Sequence, residues 1–201
     1  MSVFLACTVW VALTYVIGAV PFGLIVARVW CGEDPRESGS HNTGATNVAR
    51  ICGLRYGLAT FFLDLAKGFV PLLLGMALSH SAFFLSLTGL AAILGHMYSV
   101  FLNWKGGKGV ATTIGVFAVL TPTPFFWSLV ACLFCIWLTR TISAGSLALS
   151  LILPVFILLS GAVAYLPLSL VVLVLIYHKH RENILRLAKG EEHSWREKTA
   201  S

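Results

Sequence analysis

Val110-Ala-Thr-Thr-Ile-Gly-Val-Phe-Ala-Val-Leu120, followed at once by Thr121-Pro-Thr-Pro124, decides the fold of this chain. The run is apolar almost throughout, but it holds only 11 residues. At about 1.5 Å per residue a straight helix of that length rises roughly 16 Å, against a hydrocarbon core about 30 Å thick. The prolines at 122 and 124 stop the helix from simply continuing. A short helix that ends inside a bilayer is a partial span, so the apolar runs on either side have to be counted one by one.

Working outward from that break, apolar runs lie near residues 3–30, 56–78 and 82–103 on one side, and at 125–139, 142–160 and 163–177 on the other. With 58% hydrophobic and 11% charged residues in 201, the chain lies outside the range of soluble globular domains. The expectation is an all-α, polytopic integral membrane bundle of about seven transmembrane helices, short partial spans included. It forms a single domain over residues 1–201, with 191–201 a solvated tail. The first basic residue is Arg28, so the first run lacks the positive flank of a cleaved signal and is predicted to be a retained span. Cys7, Cys31, Cys52, Cys132 and Cys135 read as apolar packing, since the Cys132/Cys135 pair has no other ligand types nearby.

The positive-inside rule tests the count of seven. With the N-terminus outside and the C-terminus cytoplasmic, Arg36, Arg50, Arg55, Lys105, Lys108, Arg140, Lys179, Arg181 and Arg186 all fall on the cytoplasmic side. The opposite connections, 79–82, 121–124 and 161–167, contain no Lys or Arg. A five-helix count would put Arg140 and Ser143 outside, so seven is preferred. The polar stretches are then expected to converge at the cytoplasmic surface.

Those stretches carry the chemistry. GSHNTGATNVAR (39–50) offers Ser40, Asn42, Thr43, Gly44, Thr46, Asn47 and the fixed cation of Arg50, a set that can wrap a phosphate. WKGGKG (104–109) places Lys105 and Lys108 on a backbone containing Gly106 and Gly107, ahead of the short helix with Thr112 and Thr113. Glycine N–H groups, helix N-terminus and cations are expected to act on one anion there. This is not a P-loop, because Leu102 and Gly109 stand where glycine and a hydroxyl are needed. His180, Arg181, Glu182 and Asn183 follow the last span, and Arg140, Ser143 and Ser146 sit at the preceding turn. A basic juxtamembrane helix touching anionic lipid heads is the rival reading after Asn183. Asp64 and Lys67, at i, i+3 within a span, are expected to pair. His96 is expected to orient a loop or to meet substrate.

The only acidic residue inside an apolar span is Asp64, and no histidine is followed five positions later by an aspartate. Neither a metal nor another cofactor is expected, and a metal-dependent phosphotransferase is disfavoured. Phosphate binding without those groups points to transfer of something other than phosphoryl. A carrier for a phosphorylated metabolite is the alternative, but it calls for a polar path at mid-bilayer and often repeated halves; no internal repeat is seen.

Taken in order, GAVPFG (18–23), GSHNTGATNVAR (39–50), GHMYSVFLNWKGGKGVAT (95–112) and HREN (180–183) resemble the bacterial acyl-phosphate-dependent glycerol-3-phosphate acyltransferases over almost the whole chain. The resemblance implies seven helices in the bacterial cytoplasmic (inner) membrane, with the active site facing the cytoplasm. It also implies glycerol 3-phosphate, a long-chain acyl phosphate and membrane lipid as partners, and no nucleic acid. Ser40, Arg50, Lys105, His180 and Asn183 are the expected catalytic group. Asn42, Thr43, Gly44, Thr46, Asn47, His96, Gly106, Gly107, Lys108, Thr112, Ser143, Arg181 and Glu182 are expected to bind substrate. The chain departs from the family pattern at Ala19, where serine is usual, at His41, where glycine is usual, and at Ser99, where proline is usual.

Overall fold

The structure, a computed structural model, describes residues 2–194. Among these residues there are ten α-helices: α1 (Val3–Ala19), α2 (Phe22–Cys31), α3 (Ala45–Cys52), α4 (Leu54–Met76), α5 (Ala82–Met97), α6 (Val110–Leu120), α7 (Pro122–Thr139), α8 (Ile142–Leu159), α9 (Leu166–Lys179) and α10 (Arg181–Lys189). Five stretches are long and apolar enough to cross a bilayer: Val3–Cys31, Leu54–Met76, Ala82–Leu102, Pro122–Thr139 and Ile142–Leu159. α9 and α10, bent by 62° at their junction, make a sixth if taken as one span, and α6 stays short.

Three boundaries differ from the sequence expectation. The first apolar run is broken at Val20 and Pro21, because proline lacks the N–H and crowds the preceding turn. α7 begins at Pro122, three residues earlier than the expected 125, since the first helical position is where a proline fits without losing a bond. The second half of the 39–50 stretch is α3 and not loop.

The chain divides into two compact units, residues 2–119 and 120–194. In the first, α1 crosses α5 at near-backbone contact: a Cβ at Gly18 would strike Ala92, and one at Gly95 would strike Tyr15 and Ala19. Small residues at a crossing are what dispersion packing requires where water supplies no driving force. Trp10 Nε1 donates to the Pro71 carbonyl of α4 at 3.0 Å. α6 lies against α4, where Thr112 Oγ1 donates to the Asp64 carbonyl at 3.0 Å. Cys31 and Cys52, expected to be ordinary packing residues, are joined as a disulfide that ties the end of α2 to the end of α3.

In the second unit, α7 and α8 are joined through Arg140 in a left-handed turn, and Gly145 lets α8 close on Ile136 and Cys132 of α7. Ser146 Oγ donates to the Ile142 carbonyl, so its hydroxyl serves its own helix.

Candidate active site

In the first unit the connection from α2 to α3 is organised by one buried side chain, Asn47. Its Nδ2 donates to the carbonyls of Pro35 (2.8 Å), Ser38 (3.0 Å) and Asn42 (2.9 Å), while its Oδ1 accepts from the Ser40 N–H at 2.9 Å. Asn42 Oδ1 accepts from the Gly44 N–H at 2.8 Å, forming the tight turn from which α3 starts. Thr46 and Arg50 therefore sit on a helix, Thr46 exposed and Arg50 half-buried. Asn47, expected to bind substrate, has its amide committed to the loop, which makes it the scaffold that presents Ser40. His41 stands at φ 53°, a backbone region that favours glycine, which accounts for the usual glycine there; its Nδ1 lies 3.0 Å from the Arg36 carbonyl.

Two arginines brace the start of this segment. Arg36 reaches Asp34 through Nε (2.9 Å to Oδ1) and Nη2 (2.7 Å to Oδ2), and Arg28 Nη2 reaches Oδ2 at 2.7 Å. The Arg36 guanidinium beside it holds the Asp34 carboxyl well below the usual carboxylate range.

The glycine segment is built differently. The N–H groups of Lys105, Gly106 and Gly107 donate to the carbonyls of Leu102 (3.0 Å), Met97 (3.2 Å) and His96 (3.1 Å). The expectation that Gly106 and Gly107 aim their N–H groups at an anion is corrected by this: the end of α5 leaves carbonyls without helical partners, and the glycines satisfy them. No side chain fits between. A Cβ at Gly106 would overlap the His96 carbonyl, and one at Gly107 the His96 ring. Lys105 is exposed and Lys108 half-buried. Thr112 is fully buried and faces α4 through its bond to Asp64, away from the role expected of it.

Beneath both segments lies a buried charged group. Lys67 Nζ stands 2.9 Å from Asp64 Oδ1, donates to the Val20 carbonyl at 2.9 Å, and lies 3.0 Å from His96 Nδ1. Asp64, Lys67 and His96 are 2%, 3% and 8% exposed, so the expected Asp64–Lys67 pair is present and His96 joins it. An ammonium has only donors, so it requires a bare Nδ1 and places the imidazole proton on Nε2, the nitrogen facing Gly107. These three residues, with Val20, Thr43 and Ser99, line a cavity of about 10 Å³, room for roughly one water. Ser99 and Ala19, two of the departures from the family pattern, meet here: Ser99 Oγ donates to the Ala19 carbonyl at 2.6 Å.

In the second unit His180 caps the end of α9 and starts α10, with Nδ1 2.8 Å from the Ile176 carbonyl. A carbonyl only accepts, so Nδ1 carries the proton and Nε2 is the basic nitrogen of the neutral ring. Asn183 is buried, and its Nδ2 donates to Glu192 Oε1 at 2.6 Å; Arg186 Nε donates to Glu192 Oε2 at 2.8 Å. Glu192 was missed in the sequence, where 191–201 read as solvated tail; residues 195–201 lie outside the described residues. Burial opposes ionisation of Glu192, but the bonds from Asn183 and Arg186, with the Ser143 hydroxyl nearby, hold its carboxyl below its usual range. Ser143 is buried, while Arg181 and Glu182 are exposed on the first turn of α10.

A membrane-spanning helical protein whose cation-bearing, glycine- and hydroxyl-rich segments rest on buried polar supports is, as a class, one that handles a small anionic substrate. Comparison with known proteins narrows this. The family described as glycerol-3-phosphate acyltransferase matches residues 8–190, and the chain belongs to it. A glycerol-3-phosphate acyltransferase of Nitratidesulfovibrio vulgaris is 51% identical over 189 residues, 94% of this chain; the match spans 58% of that relative's length. Two crystal structures of PlsY (YgiH), an integral membrane glycerol 3-phosphate acyltransferase, are similar along nearly their full length. Its glycerol 3-phosphate form has a TM-score of 0.89 at 39% identity, and its lysophosphatidic acid form 0.86 at 38%; each match covers 94% of this chain and 95% of the other.

Proposed function

We propose that this chain transfers a fatty acyl group from a long-chain acyl phosphate to the sn-1 hydroxyl of glycerol 3-phosphate, releasing lysophosphatidic acid and inorganic phosphate. The observation that carries this reading is that Thr43 and His96 line one cavity. The segment bearing Ser40 and Arg50 and the segment bearing Lys105 and Lys108 thus approach each other over a common buried support.

An acyl phosphate is a mixed anhydride with a good leaving group. The hydroxyl oxygen attacks the acyl carbon, the carbon–oxygen bond to phosphate breaks, and phosphate departs with the electron pair. Placement and charge stabilisation suffice for such a step, without a covalent acyl-enzyme. Arg50, Lys105 and Lys108 neutralise phosphate charge, and Ser40, Asn42, Thr43, Gly44 and Thr46 orient the substrate. Ser143, His180, Asn183, Arg181 and Glu182 serve the same reaction by the family resemblance. Two groups are competent to take the hydroxyl proton: Nε2 of His180 and a phosphate oxygen of the substrate. A His180→Gln variant decides between them: loss of the acidic limb of the rate profile points to His180, and a retained limb to the phosphate. The acyl chain lies among apolar helices of the bacterial inner membrane. The seven-segment topology has its N-terminus outside and its polar segments on the cytoplasmic face.

The test is phosphate release by purified protein given palmitoyl phosphate and glycerol 3-phosphate with EDTA present, and acyl-CoA in a parallel reaction. Release requiring both substrates, matched by lysophosphatidic acid, is expected. Activity with acyl-CoA alone refutes the donor. Counterflow of labelled glycerol 3-phosphate across liposomes without any donor favours a carrier instead. Lys105→Ala and Lys108→Ala each address the cation clamp, which fails if both variants keep full activity.

A further inference from the structure

We propose that Asp64, Lys67 and His96 form a positioning junction that fixes the glycine segment and the Ser40–Arg50 segment relative to each other, and so sets the affinity for the phosphate of glycerol 3-phosphate. This rests on the reading above, in which those two segments hold that phosphate.

The junction is costly for what it would do as packing alone. Ionisable groups inside a span are expensive, and an apolar set of the same volume fills such a site without desolvation. Its connections explain its retention. Each of three polar neighbours of the Lys67 ammonium belongs to a different helix or to its break. Asp64 is on α4 itself, the Val20 carbonyl is at the α1–α2 break, and His96 is in the last turn of α5.

From two of these, His96 and Val20, a short mechanical path leads to one of the candidate segments. His96 offers its carbonyl to the Gly107 N–H and turns the Nε2 edge of its ring toward Gly107, so the glycine segment rests on a side chain that Lys67 holds in place. The Val20 carbonyl anchors the start of α2, whose Gly23 is pressed against the Thr43 carbonyl; Thr43 stands between Asn42 and Gly44 at the turn into α3. Thr43 itself reaches the same cavity as Lys67 and His96. One ammonium thus supports both segments from below. Lys67 and Asp64 are positioning residues, since both act through other groups.

A single charge deletion leaves a lone buried ion and confounds the result, so the deciding variant removes both charges: Asp64→Leu with Lys67→Met. The measurements are the melting temperature, the Kd for glycerol 3-phosphate by calorimetry in detergent, and kcat at saturating glycerol 3-phosphate. The double variant is expected to fold, to bind glycerol 3-phosphate about tenfold more weakly or worse, and to keep kcat within about threefold, because the junction acts on the grip of the phosphate and not on the reacting atoms. A folded double variant with wild-type Kd overturns the proposal. Should the double variant not fold, His96→Asn decides, since it keeps the Asp64–Lys67 pair and removes the seat under Gly107; an unchanged Kd again overturns it. The Kd requires no acyl donor. A wild-type protein that binds glycerol 3-phosphate but ignores acyl phosphate refutes the donor and leaves the junction standing, whereas one that binds no glycerol 3-phosphate refutes the reading on which the junction rests.

Discussion

The two candidate anion-holding segments of the first unit reach a fixed shape by opposite means. Residues 33–44 are gathered by a polar side chain, with four bonds converging on the amide of Asn47. Residues 105–107 are gathered by the lack of side chains, which lets their backbone settle on the carbonyls at the end of α5. A hub concentrates the structure in one residue, and a docked backbone distributes it over several. Damage to the first is therefore expected to be all or nothing, and damage to the second graded.

The strongest challenge to that contrast is Asn47→Leu. Losing the hub leaves the buried Pro35 carbonyl unpaired at about 1–3 kcal/mol, along with two half-buried carbonyls and a half-buried N–H, and activity is expected to fall by about a hundredfold or more in initial-rate assays. Near-normal activity would show that the loop holds itself. Gly107→Ala comes next: the added methyl pushes on the His96 ring, and KM for glycerol 3-phosphate is expected to rise about tenfold with kcat within about threefold. An equal fall in kcat would mean that the segment touches the reacting atoms.

Smaller is the effect of pH through Glu192, which extends the comparison to the second unit. Its folded pKa lies below the unfolded one, so its stabilisation is present above the ordinary glutamate pKa, about 4.3, and is lost as pH falls through the lowered value. Melting temperature should fall on acidification below about pH 4 and fall less steeply in Glu192→Gln. The least change is expected from Cys31→Ser, because α3 is also held by packing against α4, where Gly57 meets Ala49. Activity within about twofold of wild type is expected, since that packing holds α3 whether or not the two sulfurs are joined.

What could be read in advance divides along physical lines. The apolar runs, the short α6 and the Asp64–Lys67 pair were legible, because membrane length and the cost of a lone charge act on neighbouring residues. The break at Pro21 was visible in the sequence but hidden by the hydropathy around it. Asn47 looked like a substrate ligand because its partners, the carbonyls of residues 35, 38 and 42, carry no signal in residue type. For the same reason the glycines at 106 and 107 suggested an anion nest: the carbonyls that claim their N–H groups belong to α5. Glu192 lies in a polar tail whose composition says solvent, and only the fold brings it to Asn183 and Arg186. The Cys31–Cys52 contact spans 21 residues and follows from where α2 and α3 end.

The position of Asn47 also bears on biogenesis. It lies downstream of every backbone group it gathers, so a ribosome delivers residues 35, 38, 40 and 42 before the residue that arranges them. Until Asn47 has emerged, those four groups lack the side chain that joins them. The Ser40 loop is completed when α3 has emerged and packed on α4, so its shape is set after its own residues have been made.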